Sequence, residues 1–227
     1  MKKSIVRLAF LIFPLVFCGS ATAAIVYDQS PPANEGRTSD FAAPRVNQQA
    51  QRVQLSGDTS IQAVAAWGSY LDGSAPTDTF SIRFFNDNGS GLPETTPFEE
   101  QGGVAATRVD TGQTAIGGQP IFKYTFNLSS PVALTSSTPY YLSIVNNTSE
   151  ASRWEWSTQQ GGNTGPRFNR DSDTVTWNEV TELLAFQLSD SVLGAATSVP
   201  ALGPVAIAIT AGLLALGGGL VVRRRKG

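Results

Sequence analysis

Short stretches in the middle of the chain alternate between apolar and polar residues. The clearest of them are 80–84, 122–128, 140–145 and 184–188. In each stretch every second residue is apolar, which is the period of a β-strand with one face on a core and the other in water. Weaker patterns predict further strands at 53–55, 61–67, 153–156 and 174–177.

Turn-forming pairs separate these stretches and set the fold class. They include Asp72-Gly73, Gly102-Gly103, Gly117-Gly118 and Asn146-Asn147. No window of the middle keeps the 3.6-residue period of an amphipathic helix. Strands without intervening helices predict an all-β domain over residues 24–190, with antiparallel sheets packed as a β-sandwich or jelly roll.

The first 23 residues have the three parts of a cleavable secretory signal peptide. A basic start and an apolar run come first, in Lys2, Lys3, Arg7 and residues 8–17. The small residues Ala21 and Ala23 then predict that signal peptidase cuts before Ala24. The alternative is an N-terminal membrane anchor, for which the apolar run is short.

A second apolar segment, without any charge, runs from Val205 to Val222. As a helix its length approaches the thickness of the bilayer core. Basic residues follow at once, at Arg223, Arg224, Arg225 and Lys226. The positive-inside rule places this tail in the cytoplasm and the domain outside it. The segment predicts a single C-terminal transmembrane helix in the inner membrane, reached through a linker at 191–198.

A short proline motif precedes this helix, at Val199, Pro200, Ala201, Leu202 and Gly203. The order of proline motif, apolar span and basic tail resembles the PEP-CTERM and IPTL-CTERM sorting signals of bacterial proteins. The glutamate of the Pro-Glu-Pro form is missing, so the motif is closer to the IPTL-like variant. The resemblance implies that an exosortase-type membrane transpeptidase reads residues 199–227, cuts near the motif, and releases the protein or re-attaches it at the cell surface. A plain membrane anchor is the alternative.

Several features of the middle recur together in exported proteins with such a tail. They are Ser39-Asp40-Phe41, Trp67-Gly68, 78–84, Gly91-Leu92-Pro93, 140–144 and Trp154-Glu155-Trp156. In this respect the domain resembles the uncharacterised β-sandwich domains of PEP-CTERM and choice-of-anchor proteins. The resemblance is a pattern of strands, so it implies a fold and no known activity.

The composition narrows the functions that this domain can have. The chain contains no histidine, and its one cysteine, Cys18, lies within the signal peptide. Catalysis by Ser-His-Asp or Cys-His groups is therefore excluded, as are disulfides in the processed chain. All 18 acidic residues lie between Asp28 and Asp190, so the exported domain is acidic and is not expected to bind nucleic acid. The sequence predicts no enzymatic activity, no metal and no cofactor.

Tryptophans provide the first candidate binding residues, at Trp154, Trp156 and Trp177. An exposed aromatic platform on a β-sandwich can stack on sugar rings. Trp154 and Trp156 are two residues apart and share one face of a strand. That face is either a platform or the core, and the core is expected if Arg153 and Glu155 face solvent.

Acidic loops provide two further candidates. Asp87, Asp171 and Asp173 lie in oxygen-rich segments that suit calcium, although the same residue types favour tight turns without any ion. A glycoside hydrolase needs two carboxylates held across a bond. Adjacent acids that offer such a pair are Glu99-Glu100, Asp171/Asp173 and Glu179/Glu182.

Two functions are compatible with these patterns. The first is an exported, surface-anchored or sorted non-enzymatic protein of the cell envelope or extracellular matrix, in contact with extracellular polysaccharide. The second is a glycan-binding, lectin-like module or a carboxylate-dependent glycoside hydrolase. A groove that exposes Trp or Tyr beside a carboxylate pair would favour the second. We expect the first.

Overall fold

The computed structural model describes residues 24–41, 47–71, 78–147, 153–161 and 165–193, and these residues contain strands and no helix. The all-β prediction is therefore confirmed for this part of the chain. The strands are β1 (Ile25–Asp28), β2 (Pro32–Thr38), β3 (Gln48–Gln54), β4 (Thr59–Tyr70), β5 (Phe80–Asn86), β6 (Glu99–Val104), β7 (Thr107–Thr114), β8 (Pro120–Leu134), β9 (Pro139–Asn146), β10 (Trp154–Gln159), β11 (Pro166–Arg170), β12 (Asn178–Thr181) and β13 (Phe186–Ser189).

The strands form two antiparallel sheets. In the seven-stranded sheet, one edge of β4 pairs with β8, which pairs with β7. The other edge of β4 pairs first with β13 and further along with β10. β13 lies between β4 and β1, and β10 lies between β4 and β2. The six-stranded sheet has the order β12-β11-β3-β9-β5-β6.

A shared hydrophobic core lies between the sheets, so the domain is a β-sandwich. β5 contributes Phe80, Ile82 and Phe84 to this core from one sheet, and β8 contributes Tyr124 and Phe126 from the other. The predicted core-facing positions of these two strands are thus confirmed, whereas the opposite face of β5, predicted to be wet, is buried as well. Burial of each large apolar side chain contributes about 1.5–3 kcal/mol, and the described residues contain no cysteine to supplement it.

Close approach of β4 and β10 requires glycine at position 68. A Cβ atom there would lie 2.5 Å from the carbonyl oxygen of Glu155 and 2.6 Å from the ring of Trp154. Gly68 is paired with Trp156 in the register of the two strands. The Trp67-Gly68 pair in the sequence therefore marks the point where the Trp154 ring crosses the backbone of the neighbouring strand.

Residues 39–41 join the two sheets at one corner of the sandwich. The amide of Ser39 donates to Trp154 O in the seven-stranded sheet, and the amide of Phe41 donates to Asn146 O in the six-stranded sheet. Between them, Asp40 is only 4% exposed. Its Oδ1 accepts hydrogen bonds from Asn146 Nδ2 at 2.8 Å and from the Trp154 amide at 3.2 Å. Burial raises the pKa of Asp40 to about 6, against the smaller lowering effect of these bonds.

A second, smaller core lies on the outer face of the six-stranded sheet. It contains Ala50, Phe85, Tyr141, Phe168 and Trp177, all buried. Strand alternation predicts that this face is wet, but the loops after β5 and β11 cover it. The predicted strand at 174–177 is wrong. These residues belong to one of the covering loops, in which Trp177 is buried, and β12 begins only at Asn178.

The predicted terminal signals lie outside the described residues. These are the signal peptide at 1–23, most of the linker at 191–198, the sorting motif at 199–203, the transmembrane helix at 205–222 and the basic tail at 223–226. Within the described ranges, no helix has the length and apolar character needed to cross a membrane. The β-strands themselves run from Ile25 to Ser189.

Candidate functional site

Two arginines are buried together on the outer face of the six-stranded sheet, where the covering loops meet it. Arg83 points outward from the middle of β5, and Arg170 ends β11. Arg83 is 5% exposed and Arg170 is 1% exposed. With Gln48, Glu100 and Asp173 they form a connected set of side chains, which we call the arginine cluster.

Arg83 binds both acids of the cluster. Its Nε and Nη2 donate to Glu100 Oε1 at 3.0 and 2.9 Å. Its Nη1 donates to Asp173 Oδ1 at 2.9 Å and to Gln48 Oε1 at 3.3 Å. The ring of Phe41 lies 4.8 Å from the guanidinium carbon. The whole guanidinium group is therefore used in contacts within the protein.

Arg170 shares two of these partners. Its Nε donates to Gln48 Oε1 at 2.9 Å, its Nη1 donates to the Thr95 carbonyl at 2.7 Å, and its Nη2 donates to Asp173. The guanidinium carbon lies 4.3 Å from the ring centre of Trp177. Burial lowers the pKa of Arg170 to about 10, and the charge of Asp173 opposes this effect.

The charges of the cluster offset one another. Two guanidinium groups face two carboxylates, and the carboxylates are the more exposed partners, with Glu100 at 39% and Asp173 at 43%. Burial works against ionisation of Asp173, but the hydrogen bond from Gln48 and the charges of Arg83 and Arg170 hold its pKa below its ordinary value. The arginine cluster thus ties strands β3, β5, β6 and β11 to the loop after β11.

The loop after β5 is closed by Asp87. Its Oδ1 accepts from the amides of Gly89 and Gly91, at 2.7 and 3.3 Å, and its Oδ2 accepts from the Tyr141 hydroxyl at 2.6 Å. Both glycines have a positive φ that other residues rarely adopt. Burial and the neighbouring Asp87 raise the pKa of Tyr141, which keeps its hydroxyl a donor. This is the hydrogen bonding of a tight turn.

The structure does not bring the three calcium candidates together as a metal site. Both oxygens of the Asp87 carboxylate accept hydrogen bonds within the protein, and Asp173 lies in the arginine cluster. Asp171 is exposed. Among the described residues, no group of three or more acidic, histidine or cysteine side chains is placed to hold a metal ion.

All three candidate tryptophans are buried, which corrects the expectation that they could form an exposed stacking platform; Trp177 lies in the smaller core and is 3% exposed. Trp154 and Trp156 are both 0% exposed. The Trp154 ring packs edge to face against Phe80 and Tyr124, at centroid distances of 5.1 and 5.7 Å. With no ring face at the surface, neither Trp154 nor Trp156 can stack on a sugar. Their shared face is the core, as the two-residue spacing allowed.

Each predicted acid pair has one member in an ion pair. Glu100 and Asp173 bind the arginine cluster. Glu182 lies 2.5 Å from Arg37 and 3.2 Å from Arg167, at the open edge between the two sheets. One acid of each pair therefore makes a structural contact within the fold.

A cavity of about 330 Å³ opens beside the arginine cluster, between the loops that follow β5 and β11. Its walls combine neutral polar side chains with an apolar floor, and they include Asn88, Leu92, Thr95, Thr96, Thr176 and Trp177. We call it the Trp177 cavity. Its lining comes from two segments that are distant in the sequence. One is the loop that contains the calcium candidate Asp87, and the other contains the candidate Trp177.

Sequence reasoning missed the arginine cluster. Arg83 stands at a polar position of an alternating strand, which ordinarily means exposure to water. The sequence signal that could have identified Arg83 is its positive charge between two core residues, Ile82 and Phe84. If loops cover the polar face of this strand, the arginine is buried and needs an anionic partner. Neither Gln48 nor Arg170 belongs to any pattern that distinguishes it from a surface residue.

No protein-family model matches the chain, and comparison with curated proteins finds no similar sequence.

Proposed function

We propose that this chain is an exported, non-enzymatic protein of the cell envelope or extracellular matrix. The observation that carries the proposal is the pair of terminal signals, a leader at 1–23 and a three-part segment at 199–227. The leader directs the chain across the inner membrane and is removed by signal peptidase before Ala24. The C-terminal segment holds the domain at that membrane until an exosortase-type transpeptidase cuts near Pro200.

The described domain supports this role in two ways. Its core is formed by two sheets without cysteine, so it needs no oxidation step after export. One acid of each candidate catalytic pair is held in an ion pair, and the candidate stacking residues Trp154 and Trp156 are packed in the core. A structural or adhesive contact with extracellular polysaccharide uses the outside of such a domain and needs no reactive group.

The proposal is tested by the mass of the protein found at the cell surface. Intact-mass spectrometry of the surface and secreted fractions should detect a chain that begins at Ala24 and lacks Val205–Gly227. If every recovered chain keeps its full C-terminal segment and lies in the inner membrane, sorting is rejected and the segment is a plain anchor. Recovery of a cytoplasmic chain that keeps residues 1–23 would reject export altogether.

A pair of variants assigns the cut to the proline motif. Pro200→Ala should accumulate the unprocessed chain in the inner membrane, because the transpeptidase reads this motif. Ser198→Ala, two residues earlier in the linker, is the matched control and should be processed like the natural chain. Equal processing of both variants would show that the motif is not what the enzyme recognises.

A further inference from the structure

We infer that the Trp177 cavity binds one sugar unit of a neutral glycan. This inference goes beyond export and sorting, and rests on separate observations. The volume of about 330 Å³ is at the lower end of the range for ligand pockets, about 300–1,000 Å³, and suits a single sugar ring.

The polar groups of the cavity match sugar hydroxyls. Thr95, Thr96 and Thr176 line it, and none of their hydroxyls is hydrogen-bonded to another residue in the described ranges. Asn88 accepts from the Ser90 amide through its Oδ1, which leaves its Nδ2 group to donate. A threonine hydroxyl both donates and accepts, as each hydroxyl of a sugar does. The cavity therefore offers several two-way hydrogen-bonding partners at one place.

The floor of the cavity is apolar. Leu92 is half-buried, Pro93 is buried, and Trp177 is 3% exposed. Because Arg170 covers a face of the Trp177 ring and its indole N–H donates to Glu94 O, a ligand would meet the remaining edge of the ring. Such a floor suits the C–H groups of a sugar ring, while the hydroxyls meet the walls.

Charge selects against acidic sugars. Glu94 is an exposed carboxylate in the lining of the cavity. The guanidinium group of Arg170, which donates to the Thr95 carbonyl in the wall, is already paired with Asp173. A uronic acid would thus meet the negative charge of Glu94, whereas a neutral hexose carries no charge for it to repel.

The walls are held in place before any ligand arrives. The Thr95 carbonyl accepts from Arg170 at 2.7 Å, and the Glu94 carbonyl accepts from Trp177 Nε1 at 3.0 Å. Within the loop, the amide of Asn88 donates to Leu92 O at 2.9 Å. Binding to such preformed walls loses little conformational entropy, so a small neutral ligand can be held with few contacts.

The test uses the full-length chain in detergent with glucose, galactose, mannose, N-acetylglucosamine and glucuronate as probes. Ligand-observed NMR should show saturable binding of at least one neutral sugar in the millimolar range, and weaker binding of glucuronate. The double variant Thr95→Val/Thr176→Val should weaken that binding by about tenfold or more, because two hydrogen-bonding groups are lost and the shape is kept. Thr107→Val, on exposed β7, is the matched control and should bind like the natural chain.

Two results would overturn the inference. One is the failure of every neutral sugar to saturate, and the other is equal affinity of the double variant and the natural chain. Thermal unfolding of both variants separates a lost contact from a lost fold. Since a chain can bind sugar whether or not it is sorted, failure here leaves the proposed sorting untouched.

Discussion

Replacement of Asp40 by asparagine should make the protein more stable at neutral pH. Asp40 lies at the corner that joins the two sheets, and both of its hydrogen bonds are accepted by Oδ1. The carbonyl oxygen of asparagine can accept the same two bonds from Asn146 and Trp154. The substitution therefore removes a buried negative charge while the hydrogen bonds stay.

The expected magnitude comes from the pKa of this carboxyl group. Burial raises it from 3.8 to about 6, and each whole pKa unit corresponds to about 1.4 kcal/mol. The folded protein thus binds the proton more tightly than the unfolded chain. The stability that protonated Asp40 contributes is fully present below pH 3.8 and is lost as the pH rises through 6. The cost of ionising Asp40 then amounts to about 3 kcal/mol, and Asp40→Asn should recover up to that amount at pH 8.

The assay is denaturant unfolding of the full-length chain in detergent, followed by tryptophan fluorescence between pH 4 and pH 8. The difference in free energy of unfolding between Asp40→Asn and the natural chain should grow from near zero at pH 4 to its maximum above pH 6. Asp171→Asn, which removes a charge from an exposed loop residue, is the control and should follow the natural profile. Parallel profiles for Asp40→Asn and the natural chain would refute the reasoning, because they would mean that the buried carboxylate carries no extra cost.

Two further changes test the fold and the arginine cluster. Asp173→Ala should lower the free energy of unfolding by about 1–2 kcal/mol, since it leaves two buried guanidiniums with one acid, and the partial exposure of Asp173 moderates the cost. The loss should shrink as the pH falls. Because the pKa of Asp173 is lowered in the folded protein, its contribution to stability is present at neutral pH and disappears in acid. An unchanged loss down to pH 3 would argue against an ionic role. Gly68→Ala should cost about 3 kcal/mol or more in thermal unfolding, because a Cβ would collide with backbone and ring atoms of β10, whereas Gly57→Ala has open space around it and should be nearly neutral. Equal melting temperatures for these two variants would show that β4 and β10 can separate without cost.

The strands with clear alternation are those that sequence reasoning could predict. β5, β8 and β9 each place alternate apolar side chains in the core between the sheets, so their sequence period is visible. β2 and β7 are different, because neither 32–38 nor 107–114 contains an apolar alternation. These strands are defined by backbone pairing with β10 and β8, which is a long-range property.

The candidate site was less predictable than the fold because it depends on covering loops. An alternating strand indicates two faces and says nothing about what lies on the polar one. Here the segments 87–98 and 171–177 cover that face, bury Arg83 and Arg170, and leave a cavity between them. The turn residues that permit this, Gly89 and Gly91, were visible in the sequence, but the direction in which the loop folds was not.

The position of β13 determines when folding can finish. β13 is the last strand in the chain, yet it is not at an edge of its sheet. It pairs with β1, the first strand, on one side and with β4 on the other. Whether the chain emerges from a ribosome or from a membrane channel, its N-terminal end comes first and β13 comes last. Until Ser189 has emerged, β1 has no neighbour in its sheet and part of β4 has an open edge. The seven-stranded sheet therefore stays incomplete until β13 emerges, and β1 can pair in it only after that point.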